Sequence, residues 1–141
     1  MKRDLHIETR STLVTTYRCI QVLLERFRCE LRIPPRLSQD LVSILRYIHE
    51  HLFEAGLSVA IVKNRCGVRN NNVTSRFRRQ LGLGMRQYIE GLRLQAANLL
   101  LTEIDCEVYL IAQAVGYEHQ ETFYRAFRRC FGCTPVQRRA T

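Results

Sequence analysis

No uninterrupted apolar run of about 18 residues occurs in this chain of 141, which excludes an ordinary membrane-spanning helix. The opening segment, "MKRDLHIETR", is charged and is followed by neither an apolar core nor a cleavage site. A secretory signal is therefore not expected, and a cytoplasmic location is. Alternating apolar and polar positions of the kind that mark a strand are missing; the periodicity is helical almost throughout. Also missing are a Gly-rich phosphate loop, a helical HExxH and any nucleophile–base arrangement of recognisable spacing, so no catalysis is expected. The six cysteines (19, 29, 66, 106, 130 and 133) in a chain without a secretion signal read as free thiols. Cys130-x-x-Cys133 has no second pair at zinc spacing and reads as small apolar filler, and His49 and His51, two apart on a helix, point to different faces. No cofactor and no metal are expected.

Lysine is nearly absent as well. Of 22 basic residues only Lys2 and Lys63 are not Arg, and the net charge is +9. A surface charged only for solubility would use more Lys, whereas the planar guanidinium fork suits phosphate and guanine edges. The charge is also uneven. Between Lys63 and Arg86 stand Lys63, Arg65, Arg69, Arg76, Arg78, Arg79 and Arg86 with no acid, and between Arg125 and Arg139 stand Arg125, Arg128, Arg129, Arg138 and Arg139 with no acid. The segment 87–124 between them holds Arg93 against Glu90, Glu103, Asp105, Glu107, Glu118 and Glu121. Two basic islands flanking an acidic bridge point to two places that meet a polyanion.

The pattern divides the chain at "IPPR" (33–36), where proline disfavours helix in the residue before it. Before that break, Leu13, Tyr17, Ile20, Leu24, Phe27 and Leu31 repeat at a 4-3-4-3-4 spacing, widened by Val14 and Leu23. This predicts a helix over 11–31, either packed on its own domain or serving as a dimerisation helix. Residues 1–37 thus read as a helical extension with a Pro linker, and 38–141 as a separate helical domain that carries both basic islands. Ser38 is placed to cap a helix carrying Leu41, Ile44, Leu45, Ile48 and Leu52, and Ser58 to cap a short one ending at Cys66. Helices follow at about 70–81, 85–101, 108–115 and 120–131, with Thr134-Pro135 opening a last turn. The expected fold is all-α.

Within that order a phrase is used twice. Phe77-Arg78-Arg79-x-Leu81-Gly82 aligns with Phe127-Arg128-Arg129-x-Phe131-Gly132, and Val73 aligns with Phe123. Each copy follows a short helix that ends in glycine, Gly67 or Gly116. Apolar residues spaced by four form one helix face, which leaves the Arg pairs turned away from it. A short helix, a Gly turn and a longer basic helix make a helix-turn-helix, whose second helix enters the major groove. The first such helix offers Asn70, Asn71, Asn72, Thr74 and Ser75 near its start, and the second offers His119, Gln120, Glu121, Thr122, Tyr124 and Arg125. A bridging helix of about 15 residues is roughly 22 Å long. With the bulk of each unit added, the two recognition helices could sit about one DNA turn (~34 Å) apart.

From Leu57 to Arg138 the chain resembles the DNA-binding domain of the AraC/XylS family of bacterial transcription regulators. "GV…VTSRFRRQLG", then "QYI" and "LRLQAANLLL", carry the first part. The second part is carried by "IAQAVGYEHQETFYRAFRRCFGCTPVQRR", in which Ile111-Ala112, Val115-Gly116-Tyr117, Phe123, Arg125-Ala126-Phe127, Phe131-Gly132 and Thr134-Pro135 stand in the family's order. The resemblance implies seven helices holding two helix-turn-helix units joined by a long linker helix. It implies base contacts from Asn71, Thr74, Ser75 and Arg78 in the first unit and from Gln120, Glu121, Tyr124 and Arg125 in the second. Arg128 and Arg129 are expected on flanking phosphates, and Arg76 and Arg79 on phosphate or in solvent. Arg93 and Ala97 match the linker-helix pattern, implying an internal salt bridge and a close helix contact. Double-stranded DNA is the implied partner, with RNA polymerase as a second one, an activator's role, and a place in the nucleoid.

Three positions depart from the family pattern. Lys63 stands where the family has a small residue, as Ala112 does in the second unit, so its cation must snorkel outward. Glu107 replaces a Ser-like helix start, which predicts a weak cap, and Ser75 is short where relatives carry longer polar side chains. The longer relatives also have an N-terminal effector-binding β-barrel, which 37 residues cannot build. The alternative to a DNA reader is a basic helical protein-interaction module whose Arg islands meet acidic surfaces.

Overall fold

The computed structural model describes residues 2–68 and 72–140, with side chains from Thr12 onward. The predicted contacts from Asn70 and Asn71 lie outside the described residues. Among those described, the chain forms eight α-helices and no strand: α1 (Lys2–Glu30), α2 (Gln39–His51), α3 (Val59–Arg65), α4 (Asn72–Leu81), α5 (Met85–Glu103), α6 (Val108–Ala114), α7 (Gln120–Phe131) and α8 (Pro135–Ala140). No helix is long and apolar enough to cross a membrane.

Two cores share one rod. The first gathers Leu41, Ile44, Leu45, Ile48 and Leu52 of α2 with Val62, Val73, Phe77 and the early α5 residues Met85 and Ile89. The second gathers Leu94, Ala96, Ala97, Leu100 and Leu101 of late α5 with Val108, Ile111, Phe123, Ala126 and Phe127. The linker helix is therefore apolar at both ends, and Arg93 sits where one core gives way to the other.

The heptad stripe of α1 serves two environments. Ile20 and Leu24 are buried in the second core, with Leu23 and Phe27 half-buried beside it, while Leu13 is 50% and Tyr17 63% exposed. The helix starts earlier than the stripe predicts, because no Gly or Pro interrupts residues 2–30.

The repeat extends to the backbone. The turn after α3 is closed by Val68 N–H donating to Lys63 O (2.9 Å) and Gly67 N–H donating to Asn64 O (3.2 Å). The turn after α6 is closed by Tyr117 N–H to Ala112 O (2.9 Å) and Gly116 N–H to Gln113 O (3.1 Å). Both glycines take positive φ, 68° and 103°, which side chains with a Cβ adopt reluctantly. The caps differ more. Ser58 accepts from Ile61 N–H (3.2 Å) as expected, and Thr134 and Gln137 cap α8 reciprocally. Ser38 does not cap α2 through its side chain. Its hydroxyl donates instead to Asp40, whose carboxylate accepts from Leu41 N–H (2.9 Å). Glu107 makes no side-chain cap on α6, in line with the weak cap expected where Glu replaces a Ser-like start.

Candidate nucleic-acid interface

On α4, Val73 and Phe77 point into the first core, so Thr74, Ser75, Arg78 and Arg79 are left exposed on the other side. On α7, Phe123, Ala126 and Phe127 are buried, and Gln120, Glu121, Arg125, Arg128 and Arg129 are exposed. The rings that hold α7 form a chain: Tyr117 meets Phe123 edge-on at 5.3 Å, Phe123 lies 5.7 Å from Phe127, and Phe127 lies 4.6 Å from Phe131. Tyr124 is half-buried and stands edge-on to Phe123 at 6.2 Å, which holds the phenol at the edge of the exposed face of the helix.

Gln120, Glu121, Tyr124 and Arg125, the four side chains expected to read bases in the second unit, line one shallow depression. Its chemistry is a fork donor, an acceptor carboxylate, an amide and a phenol, a set able to distinguish base edges. In the first unit, Arg78 folds toward the start of α5, where a Cβ added to Gly84 would lie 3.1 Å from its Nη2. Arg129 is mostly exposed, with Glu90 3.9 Å away on α5.

The assignments of four Arg need correction. Arg76 is neither in open solvent nor directed at phosphate: it forms a two-pronged ion pair with Asp40 on α2, one arm at 3.2 Å. Hydrogen bonds from Arg76 and Ser38 hold the Asp40 carboxyl down to about 2. Arg138 and Arg139, counted in the second basic island, are half-buried and engaged within the fold. Arg138 donates to Asn98 Oδ1 (2.9 Å) and lies over the Phe131 ring, while Arg139 donates to Cys106 O (2.6 Å) and Ile104 O (3.3 Å) at the end of α5. Arg93 has no carboxylate partner, so the expected salt bridge is replaced by bonds to two backbone carbonyls, Leu52 O (2.8 Å) and Glu54 O (2.6 Å). Ala97, by contrast, is fully buried in the second core, as a close helix contact requires. Lys63 is half-buried where Ala112 is 2% exposed.

Sequence reasoning missed the cleft between the units, lined by Leu57, Arg86, Glu90, Tyr117, His119 and Thr122 among others. No local pattern marks it, because it is made by α3, α5 and the turn before α7 meeting in space. Among the described residues no group of three metal-ligating side chains comes together, and all six cysteines are free.

The family of helix-turn-helix domains matches residues 62–141, more than half of the chain and both units' recognition helices. The chain belongs to the AraC/XylS family. Its second half is the DNA-binding domain of these transcription regulators, which are not enzymes. The arabinose operon regulatory protein of Escherichia coli is 27% identical over 121 residues, covering 85% of this chain and 41% of its own. LumQ of Photobacterium leiognathi, a probable transcriptional regulator, is 31% identical over 98 residues, covering 70% and 39%. The chain thus spans about two fifths of the length of these curated AraC/XylS relatives. Among solved structures, the C-terminal domain of the response regulator AraT from Geobacillus stearothermophilus matches with a TM-score of 0.71 at 27% identity, covering 74% of this chain and 87% of that one. The DNA-binding domain of the transcriptional factor AdpA, solved with a target DNA, matches at 0.67 and 27% identity, covering 73% and 92%. The AraC/XylS architecture of two units on one linker helix is therefore the architecture of this chain.

Proposed function

We propose that this chain reads double-stranded DNA sequence-specifically by placing α4 and α7 in successive major-groove segments, and that it does so as a transcription activator working with RNA polymerase. The observation that carries the reading is the doubled surface: two helices of one backbone design, each burying its apolar face and each presenting polar and Arg side chains outward. In this reading Thr74, Ser75 and Arg78, with Asn71, contact bases from the first helix, and Gln120, Glu121, Tyr124 and Arg125 do so from the second. Arg79, Arg128 and Arg129 sit on phosphates that fix the register. Residues 38–141 are the DNA-binding module, and 1–37 an extension that also supplies a homodimer contact. In support of that contact, Leu13, Val14, Tyr17 and Val22 are each at least half exposed on α1.

A salt titration tests the function. Six to eight phosphate contacts give a slope of log K against log salt of about −5 to −7, and a selected duplex should win over random duplex by about a thousandfold. Equal affinity for heparin and for any duplex would instead favour a basic interaction module. Sedimentation of the Leu13→Glu/Tyr17→Glu double variant tests the homodimer: dissociation is expected, and an unchanged mass contradicts it.

A further inference from the structure

With one core at each end of α5, Phe27 and Phe53, which pack against both cores, resist turning of the two units about the rod they share. A directed contact at the junction adds to that resistance. The cleft between the units, about 630 Å³ and open to solvent, shows that side-chain packing does not close that side. Arg93 lies at the junction, between Ile89 of the first core and Leu94 of the second, and is only 9% exposed. Its Nε donates to Leu52 O and its Nη2 to Glu54 O, carbonyls at and just past the end of α2. Leu52 O, at the helix cap, has no partner inside α2, Glu54 O also accepts from Leu57 N–H (3.1 Å), and a cation there is favoured by the helix dipole. Those bonds tie α5 to the first unit.

The same guanidinium lies flat on the turn of the second unit. A Cβ at Gly116 would stand 2.8 Å from Arg93 Cζ and 2.9 Å from Nη2, so only glycine admits this approach. Burial lowers the tendency of Arg93 to hold its proton, and no carboxylate among the described residues forms an ion pair with it. A buried cation without a counter-ion is costly unless hydrogen-bonded, and it tolerates few geometries. A methyl-to-methyl contact at the junction would allow sliding; two directed bonds and a flat stack on a turn do not.

We infer that Arg93 is the positioning residue that sets the angle between the two recognition helices, and hence the separation of the two duplex segments this chain prefers. The second half of that statement rests on the two-groove reading above. The first half concerns the free protein alone.

Two measurements on the full chain separate them. Residual dipolar couplings of the free protein should fit one common alignment for residues 39–84 and 108–140, and in Arg93→Met should require two. Arg93→Lys, which keeps a cation and a donor, should restore part of the common alignment. On duplexes whose two contacted segments are moved apart by two base pairs, the wild-type chain should lose roughly tenfold or more in affinity. Arg93→Met should lose threefold or less on the same change, with binding to a duplex carrying one segment altered by less than about twofold. A single alignment in Arg93→Met overturns the inference, and so does an intact spacing preference in a variant whose alignments have separated. If Arg93→Met does not fold, Arg93→Gln carries the same comparison, because its shorter neutral amide cannot keep both carbonyl bonds and also lie on the turn. A wild-type chain indifferent to spacing contradicts the two-groove reading, while the couplings still decide whether Arg93 holds the units together.

Discussion

In the first unit Arg76 reaches back from the recognition helix to Asp40 on α2. At the matching position of the second unit stands Ala126, 2% exposed and packed in the core. The contrast runs through both units. The first recognition helix buries Val73 and Phe77, and its one ring partner is Tyr88, edge-on to Phe77 at 5.6 Å. The second is held by the Tyr117–Phe123–Phe127–Phe131 chain. Outward, the first unit shows short side chains, Thr74 and Ser75, where the second shows Tyr124 and Arg125. One backbone plan thus carries two arrangements: a surface ion tie with short outward side chains, and an aromatic anchor with long ones. Base discrimination is expected to concentrate in the second unit, with the first contributing placement.

The largest effects should come from the anchors. Phe127→Ala and Phe77→Ala each empty a fully buried site, and losses of about 3–5 kcal/mol are expected in chemical denaturation. Phe127→Ala should be the more costly, since its ring touches two others; equal or reversed losses would remove the asymmetry of anchoring. Next come the readers. Arg125→Ala should weaken binding to a selected duplex by about 1–3 kcal/mol and relax preference at one base pair. Ser75→Ala should stay within about 0.5 kcal/mol. Anisotropy titrations that find the two alike would erase the division between placing and reading.

Acid should separate the units too. His49 is buried on α2 with its Nε2 2.6 Å from the Tyr88 hydroxyl, and burial holds its proton affinity below the ordinary value of 6.5. The unfolded chain therefore takes up that proton first, so stability is complete above pH 6.5 and declines as pH falls below it. Thermal melts of His49→Gln should show a flatter dependence there. The Asp40 carboxyl, held down to about 2 from 3.8, adds a later loss as pH falls through that interval. Melts of Asp40→Asn should lack that last step. Smallest is the phosphate contact: Arg129→Ala should weaken all duplexes alike and make the salt slope shallower by about 0.9.

The elements that repeat at helical spacing were readable in advance. Val73 and Phe77 against Phe123 and Phe127, the glycine stops and the Thr134-Pro135 cap specify their structure through neighbours three or four residues away. The outward side of each recognition helix follows from the buried side, which is why the predicted readers that are described are exposed or, for Tyr124, half-buried. What could not be read was where a cation goes when its partner is distant. Arg76 and Asp40 are separated by 36 residues, and Arg93 and Leu52 by 41. A run of Arg in sequence says nothing about which of them the tertiary structure claims, so Arg138 and Arg139 counted toward a basic island although the fold engages both. The α1 stripe was ambiguous for the same reason. A heptad cannot state whether its partner is its own domain, and here Ile20 and Leu24 found one.

Hydroxyl-radical footprinting of a duplex selected from a random pool tests the central claim most directly. Two protected windows per bound chain are predicted, about 10 base pairs apart centre to centre, the window assigned to α7 losing protection in Arg125→Ala and the other keeping it. A single window, or protection spread without any such repeat, would contradict the placement of α4 and α7 in successive grooves.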